Sequence, residues 1–283
     1  YNQVVINYDG NIYRKMDKIS VIMGVYNPRD IEMLKKSIES ILTQTYENFE
    51  FIICDDFSNL EIQKILLKYK EKDKRIIVIR NSRNMGLAAS LNNCLEKATG
   101  KYIARQDDDD ISKKDRFEKE IEFLKKNKDY DFVGCNLELF DKDGIWGYRK
   151  HKEKPQKEDF LFGNQFPHPA MILTKKCMDE VNGYRVEKKT RRTEDYDLFM
   201  RLYAKGYIGY NIQENLYQYN EDMYGYSKRK FRYRIDEFWL RLEDFKELKL
   251  MPKGYMYIFK PILSGMIPKR LLKKVNYIRY KEK

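Results

Sequence analysis

Four consecutive aspartates, Asp107 to Asp110, follow a short apolar run at residues 102–104. Adjacent carboxylates repel one another, so each raises the pKa of its neighbours unless a cation lies among them. Mg²⁺ and Mn²⁺ prefer carboxylate oxygens and often share them with substrate phosphates. A solvated acidic turn that caps the next helix is the simpler interpretation. The position at the end of a predicted strand favours a ligand site, because ligands bind at strand ends in open α/β sheets.

Two acidic pairs are further candidates. Asp55 and Asp56 close an apolar run at residues 48–54, and Glu194 and Asp195 begin a predicted helix. A carboxylate at a helix start is commonly an N-cap with a lowered pKa.

The elements that position these residues alternate between strand and helix. Short β-branched runs predict four strands, and apolar residues at helical spacing predict a helix after each of the first three strands. This alternation is typical of a mostly parallel, doubly wound α/β sheet whose ligand site lies along the edge where the strands end. The predicted strands are residues 19–25, 48–54, 75–80 and 102–104.

The second half of the chain predicts further strands at residues 131–140, 170–174 and 208–219. Ser112 is expected to cap a helix that carries Phe117, and Glu194 is expected to begin a helix that ends near Gly206. Neither G-x-G-x-x-G after the first strand nor G-x-x-x-x-G-K-[ST] occurs, so a conventional dinucleotide fold and a P-loop are not supported.

The 283 residues carry a formal net charge of +12, which suggests an anionic partner. From Lys228 to Lys283 we count 17 Lys and Arg and 6 Asp and Glu, a net charge of 17 − 6 = +11. Basic, apolar and tyrosine residues alternate there, which predicts a helical tail lying on an anionic membrane surface. A helical hairpin packed on the core is the alternative. We find no nucleic-acid-binding motif, so nucleic acid is not an expected partner.

The four cysteines are spaced about forty residues apart and fit no zinc pattern. A reduced, cytosolic setting is therefore expected. Residues 1–13 are polar and lack the apolar core of a secretory signal, and no window is long and apolar enough to span a membrane. We expect a cytoplasmic protein on the inner face of the cell membrane.

Four motifs, taken in order, closely resemble the family 2 glycosyltransferases, which are inverting, GT-A-fold enzymes of bacterial polysaccharide assembly. The motifs are S-V-I-M-G-V-Y-N (20–27), Q-T-Y-E-N-F-E-F-I-I-C-D-D-F-S (44–58), N-M-G-L-A-A-S-L-N (84–92) with A-R-Q-D-D-D-D-I (104–111), and T-E-D-Y-D-L-F-M-R-L (193–202). The resemblance implies a catalytic domain at 1–225, with a nucleotide-binding half at about 19–111 and an acceptor half at about 112–225. The basic tail, 226–283, follows it.

The resemblance also implies the reaction. A sugar would pass from a UDP-sugar to a hydroxyl of a lipid-linked or polysaccharide acceptor, with Mn²⁺ or Mg²⁺ as cofactor. Tyr26 would lie beside the uracil, and Asp55 or Asp56 would accept a hydrogen bond from N3–H of the base. The loop from Asn84 to Gly86 would border the nucleotide.

Asp107 and Asp109 match the D-x-D positions that bind the ribose and the diphosphate-bound metal. Because every position of the run is aspartate, the register is open by one residue, and Asp108 is a further candidate for nucleotide binding. Asp195 matches the catalytic base, with Glu194 supporting it. Asp197 competes for this role but lies two residues along the helix and so points elsewhere.

His168, between Pro167 and Pro169, would contact the diphosphate or the acceptor; alternatively, it caps a strand on the surface. Relatives often carry a histidine after the last strand, whereas residues 219–225 contain none, so Glu221, Asp222 or a tyrosine of this segment would close the site instead. A catalytically silent nucleotide- or carbohydrate-binding module on the same fold is the alternative to an enzyme. A nucleotidyltransferase should have a glycine-rich, basic loop after the first strand, and V-Y-N-P (25–28) is not one.

Overall fold

The structure is a computed structural model that describes residues 4–6, 12–14, 16–221, 231–267, 275 and 277–281. A small antiparallel hairpin, β1 (Val4–Ile6) and β2 (Ile12–Arg14), precedes the main sheet. The other strands of the described residues form one sheet. They are β3 (Ile19–Val25), β4 (Phe49–Asp55), β5 (Ile76–Arg80), β6 (Tyr102–Arg105), β7 (Ile111–Ser112), β8 (Phe132–Asp141), β9 (Gly144–Arg149), β10 (Ile172–Thr174) and β11 (Gly209–Asn220).

The first half of this sheet is parallel, in the order β5-β4-β3-β6. The predicted strands and the alternation with helices are confirmed. β3 and β4 are buried almost throughout, as expected for apolar strands covered on both faces. The carboxyl ends of these four strands therefore meet at one edge. The intervening helices are α1 (Ile31–Leu42), α2 (Leu60–Lys72) and α3 (Leu87–Lys97).

Beyond β6 the sheet is mixed. β10 is antiparallel to both β6 and β8, β11 runs parallel to β8, and β7 and β9 join as antiparallel edges. Ile172 of β10 pairs with Ala104 of β6, so the chain just before β10 lies at the carboxyl end of β6. This pairing brings residues around 168 to the edge predicted to hold the site. The flanking helices are α4 (Arg116–Lys126), α5 (Lys175–Glu180) and α6 (Glu194–Ala204).

The expected role of Ser112 is wrong. Ser112 lies in β7, and Asp115 directly precedes α4. The Ser112 hydroxyl donates to Gln106 Oε1 at 2.7 Å and accepts from Arg116 Nη1 at 2.7 Å. These buried hydrogen bonds hold Ser112 in β7, away from the N-terminus of α4.

The C-terminal part contains α7 (Arg232–Glu247) and α8 (Lys260–Met266). Leu240 and Phe245 of α7 are fully buried and join the same core cluster as Phe199 of α6. The inner face of α7 therefore packs against the core, as the helical-hairpin alternative predicts. Among the described residues, no helix is both long and apolar enough to cross a membrane.

Candidate active site

Asp55, at the end of β4, is buried and already has partners. Its Oδ1 accepts from the Ser58 amide at 2.8 Å, and its Oδ2 pairs with the Arg80 guanidinium. Arg80 also donates to the Ser58 carbonyl at 2.9 Å and lies 5.1 Å from the ring of Phe57. Arg80 ends β5, so the ends of two neighbouring strands are tied together through one ion pair.

Asp56 holds the loop after β5 in place. Its Oδ1 accepts from the Met85 amide at 2.7 Å and from Asn81 Nδ2 at 2.7 Å, and its Oδ2 accepts from the Gly86 amide at 2.8 Å. Gly86 has φ +87°, a conformation that costs glycine little. Asn84 projects as an exposed side chain from this loop.

Large apolar side chains are exposed on the loops that follow β3, β4 and β5. We call the place where these three loops meet the mouth. Tyr26, Phe57 and Met85 are each about half exposed although they are large. The loop of Tyr26 is joined to that of Phe57 through Asn27, whose amide donates to Ser58 Oγ at 3.1 Å. An exposed aromatic surface beside fixed polar groups suits a flat, partly polar ligand. Phe57 and Arg80 were not identified from the sequence.

Arg105 underlies the acidic run. Only 1% of its surface is exposed, and its guanidinium pairs with the Asp107 carboxylate. The Asp107 carbonyl accepts from Ser37 Oγ at 2.6 Å, and its amide donates to the Tyr217 hydroxyl at 3.3 Å. The side chain of Asp107 is 28% exposed. The run is therefore anchored at its first residue.

The other three aspartates differ in environment. Asp109 is exposed, and Asp108 is half-buried. Burial, followed by the charges of Asp109 and Asp107, raises the pKa of Asp108 to about 8. Asp110 is fully buried, and its Oδ1 accepts from the Asn220 amide at 2.7 Å. Asp110 therefore has a structural role. Asp107, Asp108 and Asp109 are accessible to a ligand, and we call these three residues the rim.

The rim could hold a divalent cation only together with a ligand. Within the described ranges, no group of three or more His, Cys, Asp and Glu side chains is placed to hold a metal ion. Mg²⁺ commonly uses one or two protein carboxylates and completes its shell with phosphate oxygens and water. The exposed carboxylate of Asp109 and the partly exposed one of Asp107 fit that arrangement.

Glu194 and Asp195 begin α6, but Thr193 is the residue at the N-cap position, so the N-cap interpretation of Asp195 is wrong. Asn164 Nδ2 donates to Asp195 Oδ2 at 2.7 Å. Burial and the Asp195 charge raise the pKa of Glu194 to about 7. Asp197 is fully buried and pairs with Arg201 at 2.7 Å, which explains why it does not compete with Asp195.

His168 is buried, so its interpretation as a surface strand cap is wrong. Its Nε2 lies 2.8 Å from the Tyr184 hydroxyl. Burial and the Arg105 charge hold the pKa of His168 well below its usual value. Burial and the charges of Glu194, Asp107 and Asp195 raise the pKa of Tyr184. Tyr184 therefore lies between the acidic run and the start of α6.

Asp195, Asn164 and His168 line a cleft of about 1230 Å³. This volume exceeds the range of roughly 300–1,000 Å³ typical of small-ligand pockets. Glu221, considered for closing the site, pairs instead with Arg149 on the cleft wall. Tyr219, a tyrosine of the same segment, lines the cleft, and residues 222–225 lie outside the described residues.

The family model described as glycosyl transferase family 2 matches residues 20–185, more than half of the chain. The chain belongs to glycosyl transferase family 2. Membership of this family makes the protein an enzyme that transfers a sugar, not a silent binding module. The family resemblance predicted from the four motifs is confirmed.

This family 2 glycosyltransferase is 41% identical over 260 residues to a Bacillus subtilis protein named as the glycosyltransferase EpsE, covering 92% of this chain and 93% of EpsE. Among solved structures it resembles S. aureus TarS 1-349 in complex with UDP-GlcNAc, with a TM-score of 0.64, 17% identity, and coverage of 86% and 73%. It also resembles the mannosyltransferase PcManGT of Pyrobaculum calidifontis in complex with GDP-Man and Mn²⁺, with a TM-score of 0.58, 13% identity, and coverage of 92% and 79%. These likenesses confirm the predicted GT-A fold.

Proposed function

We propose that this glycosyltransferase moves a sugar from a UDP-sugar to a hydroxyl of a glycan or lipid-linked acceptor, with inversion at the anomeric carbon. One observation carries the proposal: Asp195 and His168 line one cleft, and the pairing of Ile172 with Ala104 places the segment around His168 at the end of β6, where the acidic run begins. Glycosyl transfer needs these two functions together, namely binding of the leaving diphosphate and removal of the acceptor proton.

The nucleotide binds at the mouth formed by the ends of β3, β4 and β5. Tyr26 and the loop from Asn84 to Gly86 flank the base, while Asp55 and Asp56 supply the carboxylates nearest to it. Because Asp55 already pairs with Arg80 and Asp56 with the loop amides, both groups are held rigidly before the ligand arrives. The likeness to a UDP-GlcNAc-bound structure supports uracil as the base.

The diphosphate lies over the rim of Asp107, Asp108 and Asp109. Mn²⁺ or Mg²⁺ held there by Asp107 and Asp109 would stabilise the negative charge that develops on the leaving diphosphate. Arg105 compensates part of the carboxylate charge from below. The likeness to PcManGT in complex with GDP-Man and Mn²⁺ supports this assignment.

Asp195 acts as the base. The acceptor hydroxyl oxygen attacks the anomeric carbon while the carbon–oxygen bond to the diphosphate breaks, and that bond's electron pair leaves with the diphosphate oxygen. The hydroxyl proton passes to the Asp195 carboxylate. Because the attack comes from the face opposite the leaving group, the configuration inverts, as in inverting glycosidases. Glu194 supports the base, and neutral His168 contacts the acceptor or the diphosphate.

We also propose that the protein lies on an anionic membrane surface at the cytoplasmic face, through the outer side of α7 and α8. Trp239, Leu263 and Met266 are 55%, 62% and 73% exposed. The tail sequence 228–283 as a whole carries a net charge of 17 − 6 = +11, and large exposed apolar side chains in a basic segment suit an interfacial surface. The inner face of α7 thus packs on the core, and the outer side of α7 and α8 is the membrane contact.

Calorimetric titration with UDP and with GDP, in Mn²⁺ and then in EDTA, tests the donor assignment. We expect UDP to bind in Mn²⁺ and to bind at least about tenfold more weakly in EDTA, a difference of about 1.4 kcal/mol. Tighter binding of GDP than of UDP would contradict the uracil assignment. Binding of UDP that is unaffected by EDTA would contradict the role of the rim.

A further inference from the structure

The cleft beside Asp195 is strongly basic. Its described lining includes five basic side chains and one acidic side chain, Asp195 itself. A concave surface with one sign of charge concentrates oppositely charged ligands. The five basic residues are Arg149, Lys150, Lys152, Arg279 and Lys281.

Three of these cations have no acidic partner among the described residues. Arg149 pairs with Glu221, and Lys152 pairs with Asp159 at 2.6 Å. Over the part of the chain that the structure describes, no carboxylate lies within 4.0 Å of the side-chain nitrogens of the other three, Lys150, Arg279 and Lys281. All three are exposed. Their charge is therefore available to a ligand in the cleft.

Two of the three come from the C-terminal segment, which docks on β9. The ring of Tyr277 stacks on Trp146 at 6.0 Å. At Gly147 an added Cβ would lie 2.5 Å from the Tyr280 carbonyl oxygen, so only glycine allows this approach. This docking fixes Arg279 and Lys281 at the cleft.

A further basic side chain, Lys260, borders the same wall of the cleft. Lys260 Nζ donates to the Phe162 carbonyl at 2.6 Å, and Phe162 lines the cleft. Burial and the charges of Arg241 and Arg279 lower the pKa of Lys260. The positive charge of Arg279 thus acts on Lys260 at this wall.

We propose that this cleft is an acceptor subsite for an anionic glycan, in which Lys150, Arg279 and Lys281 bind phosphate or carboxylate groups near the accepting sugar. The inference rests on the proposed function, since it takes the Asp195 cleft as the acceptor side. Two sources share this chemistry: a lipid diphosphate that carries the glycan, and acidic sugars within the glycan. Either would place its charge against the C-terminal wall while a sugar hydroxyl reaches Asp195.

Binding of defined probes to the full chain in EDTA tests the subsite without the donor site. Farnesyl diphosphate represents the lipid source, hexagalacturonate the acidic glycan, and maltohexaose a neutral glycan. The test variants are the double variant R279E/K281E and the single variant Lys150→Glu. The matched control is K68E/K70E, which reverses two exposed charges on α2, next to β5 at the opposite edge of the sheet.

We expect at least one anionic probe to bind more tightly than maltohexaose, and to bind about tenfold more weakly in R279E/K281E and in Lys150→Glu. K68E/K70E should retain wild-type affinity. The probe that binds identifies the source. Equal affinity for maltohexaose, no binding of either anionic probe, or equal loss in K68E/K70E would overturn the proposal. UDP affinity, measured on the same samples, reports separately on the donor site.

Discussion

Asn164 Nδ2 donates a 2.7 Å hydrogen bond to Oδ2 of Asp195. The bond joins the segment after a 3-10 helix, Lys157–Phe162, to the first turn of α6. A donor that is fixed in this way holds the carboxylate in one orientation within the cleft. A base must be oriented as well as basic, so Asn164 is a positioning residue for Asp195.

Asn164→Ala should lower kcat by about tenfold while UDP affinity stays within about twofold, because only the orientation of the base is lost. Asn127→Ala is a suitable control, since it removes an amide that donates to the Phe123 carbonyl at 2.9 Å at the end of α4. Steady-state kinetics and calorimetry on both variants provide the measurement. A loss of UDP affinity that parallels the loss of kcat would show that Asn164 acts elsewhere.

Asp107→Asn and Asp109→Asn should differ in stability. Asp107→Asn leaves the buried guanidinium of Arg105 without its counter-ion and should cost about 1–3 kcal/mol in the free energy of unfolding. Asp109 is exposed, so Asp109→Asn should stay within about 0.5 kcal/mol of the wild type.

Both variants should weaken Mn²⁺-dependent binding of UDP. Urea unfolding and calorimetry measure the two effects. Equal stability of the two variants would contradict the ion pair. Unchanged UDP binding in Asp109→Asn would place the metal elsewhere.

Glu194→Gln should alter how stability depends on pH. The folded pKa of Glu194 is raised from 4.5 to about 7, so its stabilising contribution is present below pH 4.5 and is lost as pH rises through about 7. Glutamine cannot ionise, so the variant should gain thermal stability relative to the wild type as pH rises from 4.5 to about 7, and should keep that gain at higher pH. Glu96→Gln, at an exposed position, is the control. A difference in Tm that does not change with pH would contradict the burial of Glu194.

Leu263→Asp combined with Met266→Asp should release the protein from vesicles of mixed phosphatidylglycerol and phosphatidylcholine. Two apolar side chains are lost from the interface and two negative charges are added, so partitioning should fall by about tenfold or more. Leu60→Asp combined with Leu67→Asp changes exposed leucines of α2 in the same way. Co-sedimentation that is equally affected in both double variants would argue against a defined membrane face.

The strands and helices of the first half could be predicted because their signals are local. β3 begins and ends as predicted, and Asp30 Oδ1 accepts from the Met33 amide at 3.0 Å as an N-cap. The placement of Asp55, Asp56 and Asp107 at one edge followed from parallel topology alone. The sheet edge at which we propose that the donor binds could therefore be located from the sequence.

The contacts that hold these residues could not be predicted, because they join distant segments. Arg80 pairs with an aspartate 25 residues before it, and Asn164 reaches one 31 residues after it. The sequence around His168 was compatible with a position on the surface. Its hydrogen-bond partner Tyr184 and the Phe199 ring, whose centroid lies 6.3 Å away, come from distant segments. Similarly, the composition of the tail left open whether its helices lie on a membrane or pack on the core, and the structure shows that one side of α7 completes the core.

Asp195→Asn tests the central claim most directly. UDP affinity is measured by calorimetry, and UDP release from the donor sugar that the wild type turns over is measured on the same preparations. The account predicts UDP affinity within about twofold of the wild type and a fall in UDP release of about 10²–10⁴-fold, because only the proton acceptor is removed. Release that stays near the wild-type rate would contradict the assignment of Asp195 as the base.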